Sequence, residues 1–146
     1  MRSCTTSAGG ETVLCPSAQP DMPGSMILGI VQGTVEEPRM IHLTHPQPGS
    51  PELLALTAPV SPTEVFRFTA PCAAMGCRHF DGSNCRLAQR IVKMQEPVAE
   101  TLPICQIRLR CRWWLQEGRA ACQRCPGIVT EVVSPDEKTY RMAAPD

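Results

Sequence analysis

Apolar residues in the first half of the chain occur in short clusters rather than at helical spacing. Three clusters, over residues 27–35, 39–44 and 64–69, are rich in β-branched and aromatic residues, which is typical of strands. Prolines separate the clusters at positions 38, 46, 48, 51, 59 and 62. Because proline disrupts a helix interior, this spacing excludes a long helix. We therefore predict a small β-rich segment over residues 26–70.

The second half of the chain changes to helical spacing. Three apolar residues share one face of a helix predicted over 85–95, namely Leu87, Ile91 and Met94. Residues 104–115 fit a strand or a helix, and we favour a helix that breaks at Gly118. A further short strand is possible over 128–133. The predicted fold class is α+β, with a small β-rich N-terminal part followed by a helical, cysteine-rich, metal-organised C-terminal part.

The two ends of the chain lack these periodic patterns. Residues 1–25 are rich in Ser, Thr, Gly and Pro, which predicts a flexible leader. Cys4 and Cys15 lie in this leader. We expect them to be bystanders, because ordering a flexible segment around a metal costs conformational entropy. Residues 71–133 then form a cysteine-rich metal-binding domain, and residues 134–146 form a tail.

The charge of the chain is balanced overall but unevenly distributed. The 14 basic and 14 acidic side chains give a net charge of zero, which excludes a general polyanion binder. Residues 72–125 hold 9 basic and 4 acidic side chains, a net of +5, between two acidic ends. We expect this basic face to bind a redox partner protein or an anionic substrate. The scarcity of aromatic residues and lysines there disfavours nucleic acid.

Cysteine usage depends on the compartment in which the protein works. The first 25 residues contain no apolar stretch typical of a secretory signal, and no apolar run is long enough to cross a bilayer. We therefore expect a cytoplasmic protein without membrane attachment. Thiols stay reduced in that compartment, so 9 cysteines indicate metal or redox chemistry. Export would make disulfides the alternative.

Seven of the nine cysteines form two groups in the second half of the chain. The first group is Cys72-x4-Cys77-x7-Cys85, with His79 inside it, and the second is Cys105-x5-Cys111-x10-Cys122-x2-Cys125. Thiolates suit zinc or iron–sulfur clusters, and four of them complete either kind of site. The second group supplies four. The first supplies three, so His79 is the candidate fourth ligand, unless one iron stays open or one cluster draws on both groups.

The spacing of these cysteines favours an iron–sulfur cluster of the 4Fe-4S type over zinc. Structural zinc sites usually contain two closely spaced cysteine pairs, whereas this chain has one C-x2-C pair and irregular gaps elsewhere. Arg110, Arg112 and Arg124 adjoin cysteines and are candidate cofactor-binding residues, since cations would offset the negative charge of a thiolate-bound cluster. The same cations would also suit a zinc tetrathiolate, so zinc remains the alternative cofactor.

These patterns predict an iron–sulfur protein that carries electrons or performs a redox step for a partner enzyme. One alternative is a zinc-stabilised interaction or regulatory module that contacts nucleic acid. A second is a small enzyme whose open iron, held by the first group, performs the chemistry. The sequence contains no Gly-rich phosphate loop, no recognisable Ser-His-Asp constellation and no H-E-x-x-H motif. It therefore leaves open whether the protein is an enzyme.

Overall fold

Four strands and five α-helices make up the regular structure of the residues described in a computed structural model, which are 12–34, 37–130 and 141–142. The strands are β1 (Leu14–Ala18), β2 (Met26–Gly33), β3 (Pro38–Pro48) and β4 (Phe66–Pro71). The helices are α1 (Pro51–Ala55), α2 (Pro62–Val65), α3 (Arg86–Met94), α4 (Arg112–Glu117) and α5 (Arg119–Arg124). The sheet lies in the N-terminal half and the longest helix in the cysteine-rich part, which confirms the predicted α+β class.

The strands form one antiparallel sheet in the order β1-β4-β2-β3. The pairing of β2 with both neighbours shifts register between Ile27 and Gly29. Glycine is required at position 29, because a Cβ there would collide with the Met40 side chain and lie 2.5 Å from the Ile41 carbonyl oxygen. The bulge therefore lets β3 pass close to β2.

Strand β1 corrects the predicted flexible leader over residues 1–25 for its described part, 12–25, whereas residues 1–11 lie outside the described residues. Val13, Pro16 and Ala18 are buried, and Cys15 pairs with Ala70 of β4. Strand β1 lies at the edge of the sheet, and its pairing becomes irregular between Cys15 and Ala18, which accommodates a proline. The strand is short and contains Pro16, so its apolar pattern was too weak to recognise from the sequence.

Each face of the sheet is covered by a different layer. Leu28 and Met40 pack with the helical part in a core that includes Ile91 and Trp113. Ile27 and Phe68 lie in a separate cluster, against which the side chains of α1 pack. Burying a side chain such as Ile91 stabilises the fold by about 1.5–3 kcal/mol. The cysteine-rich part is therefore held against one face of the sheet.

The helices of the second half follow the sequence prediction in part. Helix α3 lies where helical spacing predicted it, and Cys85 is its N-cap, with its sulfur accepting from the Ala88 amide. Gly118 separates α4 from α5 with a φ of 67°, as expected of a glycine break. The helix favoured over 104–115 is wrong for its first part. A 3-10 turn over Arg108–Arg110 precedes α4 instead, and the extended backbone of Cys111 separates the two.

The C-terminal predictions are only partly covered by the described residues. Residues 128–130 are not a strand, and the rest of the candidate strand over 128–133 lies outside the description. The expected tail, 134–146, contains a core residue. Met142 is 5% exposed, and its carbonyl oxygen accepts from Arg90 Nε at 2.8 Å. A buried methionine explains why this position is held against the fold.

Candidate metal centres

The eight described cysteines are all free thiols and fall into two groups of four. The members of each group lie close enough for a charge on one to raise the pKa of another. We define the first group as Cys15, Cys72, Cys77 and Cys85. The second group is Cys105, Cys111, Cys122 and Cys125. The second group contains the four cysteines that the sequence places together, and their binding of a metal stays a prediction. The first group includes Cys15, against the expectation that this residue is a bystander.

Strand pairing brings Cys15 to the first group. Cys15 lies opposite Ala70, two residues before Cys72, and the Cys72 amide donates to the Val13 carbonyl oxygen at 2.9 Å. Cys15 packs against the small cluster formed by Val13, Cys72 and Ala74. β1 and the end of β4 therefore set two thiols side by side.

The other two members of the first group are held by the segment between β4 and α3. Cys77 ends the 3-10 turn over Ala74–Gly76, and Phe80 forms an isolated antiparallel bridge with Cys85. That bridge returns the chain toward the group before α3 begins. The side chains of Cys77 and Cys85 are half-buried.

Burial keeps two thiols of the first group, Cys15 and Cys85, protonated in the absence of a metal. Burial raises the pKa of Cys15 to about 12, while the Ser17 amide lowers it and the neighbouring thiols raise it further. Burial also raises the pKa of Cys85, against a lowering by the Ala88 and Leu87 amides. A metal must therefore displace protons when it binds here.

The structure places the imidazole of His79 beside an arginine. His79 Nδ1 lies 3.2 Å from the Arg90 guanidinium, and the His79 amide donates to Cys77 Sγ at 3.4 Å. The His79 ring thus contacts α3 while its backbone amide contacts the first group, and its role as a metal ligand stays a prediction.

The second group surrounds a small cavity between the helical part and the sheet. Cys105 and Cys111 flank the 3-10 turn over Arg108–Arg110, while Cys122 lies in α5 and Cys125 follows it. The cavity has a volume of about 20 Å³. Its lining includes all four thiols and residues from the sheet half, namely Pro16, Leu28 and His42. Burial raises the pKa of Cys105, Cys111 and Cys122.

Arg67 is a fully buried cation at the second group. Its side chain is 0% exposed. Nε and Nη2 donate to the Pro16 carbonyl oxygen at 3.0 and 2.7 Å, and Nη1 donates to the carbonyl oxygens of Cys125 and Ile128, both at 2.7 Å. Nη2 also lies 3.1 Å from Cys125 Sγ. In the part of the chain that the structure describes, no carboxylate pairs with it.

Arg108 is the second cation at this cavity. Its side chain donates to Cys122 and thereby lowers the pKa of that thiol, against a larger rise caused by burial. It also donates to the Pro103 carbonyl oxygen. Its buried Nε has no hydrogen-bond partner among the described residues. The second group therefore has two guanidinium groups directed at its thiols.

Two of the three arginines that the sequence suggested contact groups other than a sulfur. Arg112 stacks 5.4 Å from the Phe80 ring centroid, and Arg124 donates to the carbonyl oxygens of Gln95 and Ala120. Arg110 ends the 3-10 turn and is half-buried. Adjacency in sequence predicted proximity, but in turns and helices neighbouring side chains point in different directions.

Backbone amides face the sulfurs in a repeated pattern. The His79 amide donates to Cys77 Sγ at 3.4 Å, and in four further cases the amide two residues after a cysteine lowers the pKa of its thiol. The pairs are Cys15–Ser17, Cys77–His79, Cys85–Leu87, Cys105–Ile107 and Cys111–Trp113. Such bonds stabilise a thiolate and tune the potential of a cluster. Both groups therefore carry a preformed environment for negatively charged sulfur.

The two groups are joined through β1 and α4. Leu14, next to Cys15, forms an isolated parallel bridge with Cys111. Gln116 of α4 accepts from the Cys85 amide at 2.7 Å and donates to the Cys85 carbonyl oxygen at 2.8 Å. Backbone contacts thus connect a member of one group to a member of the other.

The cysteine side chains of the two groups are not arranged as a metal coordination sphere. No three His, Cys, Asp or Glu side chains among the described residues stand close enough together to hold a metal ion. Metal binding therefore requires deprotonation and a change of cysteine rotamers. Among the helices of the described residues, none is both long and apolar enough to cross a membrane.

Comparison with known proteins returns no relative. No family model, no curated protein and no solved structure matches this chain.

Proposed function

We propose that the chain is a cysteine-ligated iron–sulfur protein that transfers electrons to or from a partner, with a cluster bound by Cys105, Cys111, Cys122 and Cys125. The observation that carries this proposal is Arg67, a buried cation in hydrogen-bond contact with Cys125 Sγ.

A buried charge is costly unless it is paired with an opposite charge. The carbonyl oxygens around Arg67 satisfy its N–H groups but carry no net charge. Among the described residues, Cys125 Sγ is the hydrogen-bond partner of Arg67 that can carry a negative charge. A metal centre bound by four thiolates is an anion, and it supplies the counter-charge that this arginine requires.

One feature favours iron–sulfur over zinc. The ligands of the second group come from the two ends of a 3-10 turn, from α5 and from a 3-10 segment rather than from two paired cysteine loops. Cations beside the sulfurs suit either kind of centre, and at a cluster they would also tune its potential. With four thiols in each group no iron is left open, so electron transfer is favoured over catalysis.

One observation favours zinc as a second candidate. The cavity of about 20 Å³ at the second group is close to the room needed for a single water-sized sphere. A single zinc ion needs less room than a four-iron cluster, so the cysteine lining would have to move less to bind it. In that case the protein is a zinc-stabilised interaction module.

The partner that fits this surface is an acidic redox protein or an anionic substrate. Residues 72–125 carry a net charge of +5. Ile104 and Leu109, which flank Cys105 and Arg108, are 82% and 79% exposed. A basic surface with exposed apolar side chains suits brief docking of an acidic partner. Reduced thiols also suit a reducing compartment such as the cytoplasm.

Anaerobic purification followed by analysis of iron, sulfide and zinc tests the proposal. We expect brown protein with broad absorbance near about 400 nm, from thiolate-to-iron charge transfer, and sulfide in proportion to iron. Cys122→Ser should reduce both, whereas Cys4→Ser, outside the described residues, should leave them unchanged. Colourless protein that contains zinc would contradict the iron–sulfur proposal and support the zinc-stabilised interaction module. Protein without metal would contradict both.

A further inference from the structure

We propose that the first group, completed by Cys15, binds a second metal centre of the same kind. This inference rests on the proposed function of the second group for the identity of the metal. Its own basis is the juxtaposition of four thiols from β1 and the segment between β4 and α3.

Strand β1 presents Cys15 to the first group by alternation of its side chains. Val13 and Cys15 belong to the cluster around Cys72, whereas Leu14 packs into the main core and Pro16 lines the cavity of the second group. Successive side chains of a strand point to opposite faces. Strand β1 therefore lies between the two groups, contributing Cys15 to the first and Pro16 to the lining of the second.

Cys15 fits the role of fourth ligand better than His79. Its sulfur lies within electrostatic range of all three other thiols of the group, and its backbone is fixed by pairing with β4. The His79 ring instead contacts the Arg90 guanidinium. Four thiolates close the site, as a 4Fe-4S cluster or a structural zinc requires.

Backbone amides near the sulfurs of the first group favour the thiolate form of its cysteines. Amides of Ser17, His79 and Leu87 face the sulfurs of Cys15, Cys77 and Cys85. Phe80 packs beside the group and covers it on one side. These donors come from the backbone, so they remain in place when the cysteines change rotamer.

The decisive variant is Cys15→Ser, with Cys4→Ser as the matched control in the same N-terminal stretch. Metal and sulfide are quantified after anaerobic purification of both variants and of His79→Gln. We expect Cys15→Ser to retain about half of the wild-type metal, since one of two equal centres is lost. Cys4→Ser and His79→Gln should retain all of it.

A folding control accompanies this experiment. The centre at the second group and the far-ultraviolet circular dichroism spectrum report whether Cys15→Ser still folds. If that variant does not fold, Cys77→Ser, which lies outside the sheet, should show the same loss of about half of the metal.

Three outcomes separate this inference from the proposed function. Full metal content in Cys15→Ser, or in Cys77→Ser where Cys15→Ser does not fold, overturns the second centre while leaving the first proposal intact. Loss in His79→Gln but not in Cys15→Ser assigns the fourth ligand to the histidine and also overturns it. Wild-type protein without metal overturns both proposals.

Discussion

The two cysteine groups each contain four thiols, but different parts of the chain supply the thiols and the groups that contact them. The second group draws its thiols from one continuous stretch, but the buried cation in contact with it, Arg67, comes from β4. The first group draws one thiol from β1, and its described hydrogen bonds to sulfur come from backbone amides. This difference shows that spacing along the chain predicts most members of each group. Strand pairing and packing determine the remaining thiol, Cys15, and the cation beside the second group, Arg67.

The largest expected effect is that of removing metal. Ligation by four thiolates contributes on the order of 10 kcal/mol to the folding of a small site. After chelation we expect amides in residues 72–125 to lose hydrogen-exchange protection, while the pairing of β2 with β3 keeps most of its protection. Equal loss in both regions would show that the cysteine groups do not depend on metal more than the sheet does.

Replacement of Arg67 tests the counter-charge at the second group. In metal-loaded protein we expect Arg67→Gln to lower the free energy of unfolding by about 3–5 kcal/mol, since a buried anion loses its partner. The matched control is Arg39→Gln, because Arg39 forms an ion pair with Glu37 at 3.7 Å near the surface and such pairs contribute up to about 1 kcal/mol. Urea denaturation under anaerobic conditions measures both. Equal effects of the two variants would contradict the role of Arg67.

The difference in donors predicts different reduction potentials. The guanidinium groups of Arg67 and Arg108 stabilise the more negative, reduced state of the second centre, so its potential should be the higher of the two. Arg108→Gln should lower that potential by about 60 mV, the equivalent of one charged hydrogen bond in a one-electron couple. The first centre should not change.

A redox titration followed by visible absorbance measures this shift. Arg119→Gln is the control, because the exposed contact of its guanidinium is with the Glu100 carbonyl oxygen. Identical reduction potentials for both centres in the wild-type protein would contradict the predicted effect of Arg67 and Arg108 on the second centre.

A further expected effect concerns His42 in the metal-free protein. Burial, then the charges of Arg67 and Arg108, lowers the pKa of His42 from 6.5 to about 4. The thiols of Cys105, Cys111 and Cys122 have raised pKa values and stay protonated in this range. Because the unfolded chain takes up a proton that the folded chain resists, the free energy of unfolding should fall as pH drops from about 6.5 to about 4.

Thermal or urea unfolding at a series of pH values checks this dependence. His42→Gln should flatten the curve between these two pH values, whereas replacing the exposed His45 by glutamine should not. A curve that is unchanged by His42→Gln would show that this histidine is not held neutral by its surroundings.

The parts of the account that could be predicted from the sequence depend on local spacing. Helix α3, the break at Gly118 and the gathering of Cys105 to Cys125 all lie within short continuous stretches. Apolar periodicity and glycine placement are sufficient for such features.

Cys15 and Arg67 could not be predicted, because strand pairing brings them to the site across long separations. Arg67 contacts Cys125, 58 positions further along the chain. The one available signal was a lone arginine between Phe66 and Phe68, inside a strand that is otherwise nearly free of charge. The sequence signal for β1 was weaker still, since Pro16 interrupts a five-residue strand.

Native mass spectrometry of anaerobically purified protein tests the central claim most directly, because it counts the centres bound to one intact chain. The account predicts a mass equal to that of the chain with two metal centres, and with one after Cys15→Ser or Cys122→Ser. A metal-free mass, or a mass lowered only by the hydrogens lost in disulfide formation, would contradict it.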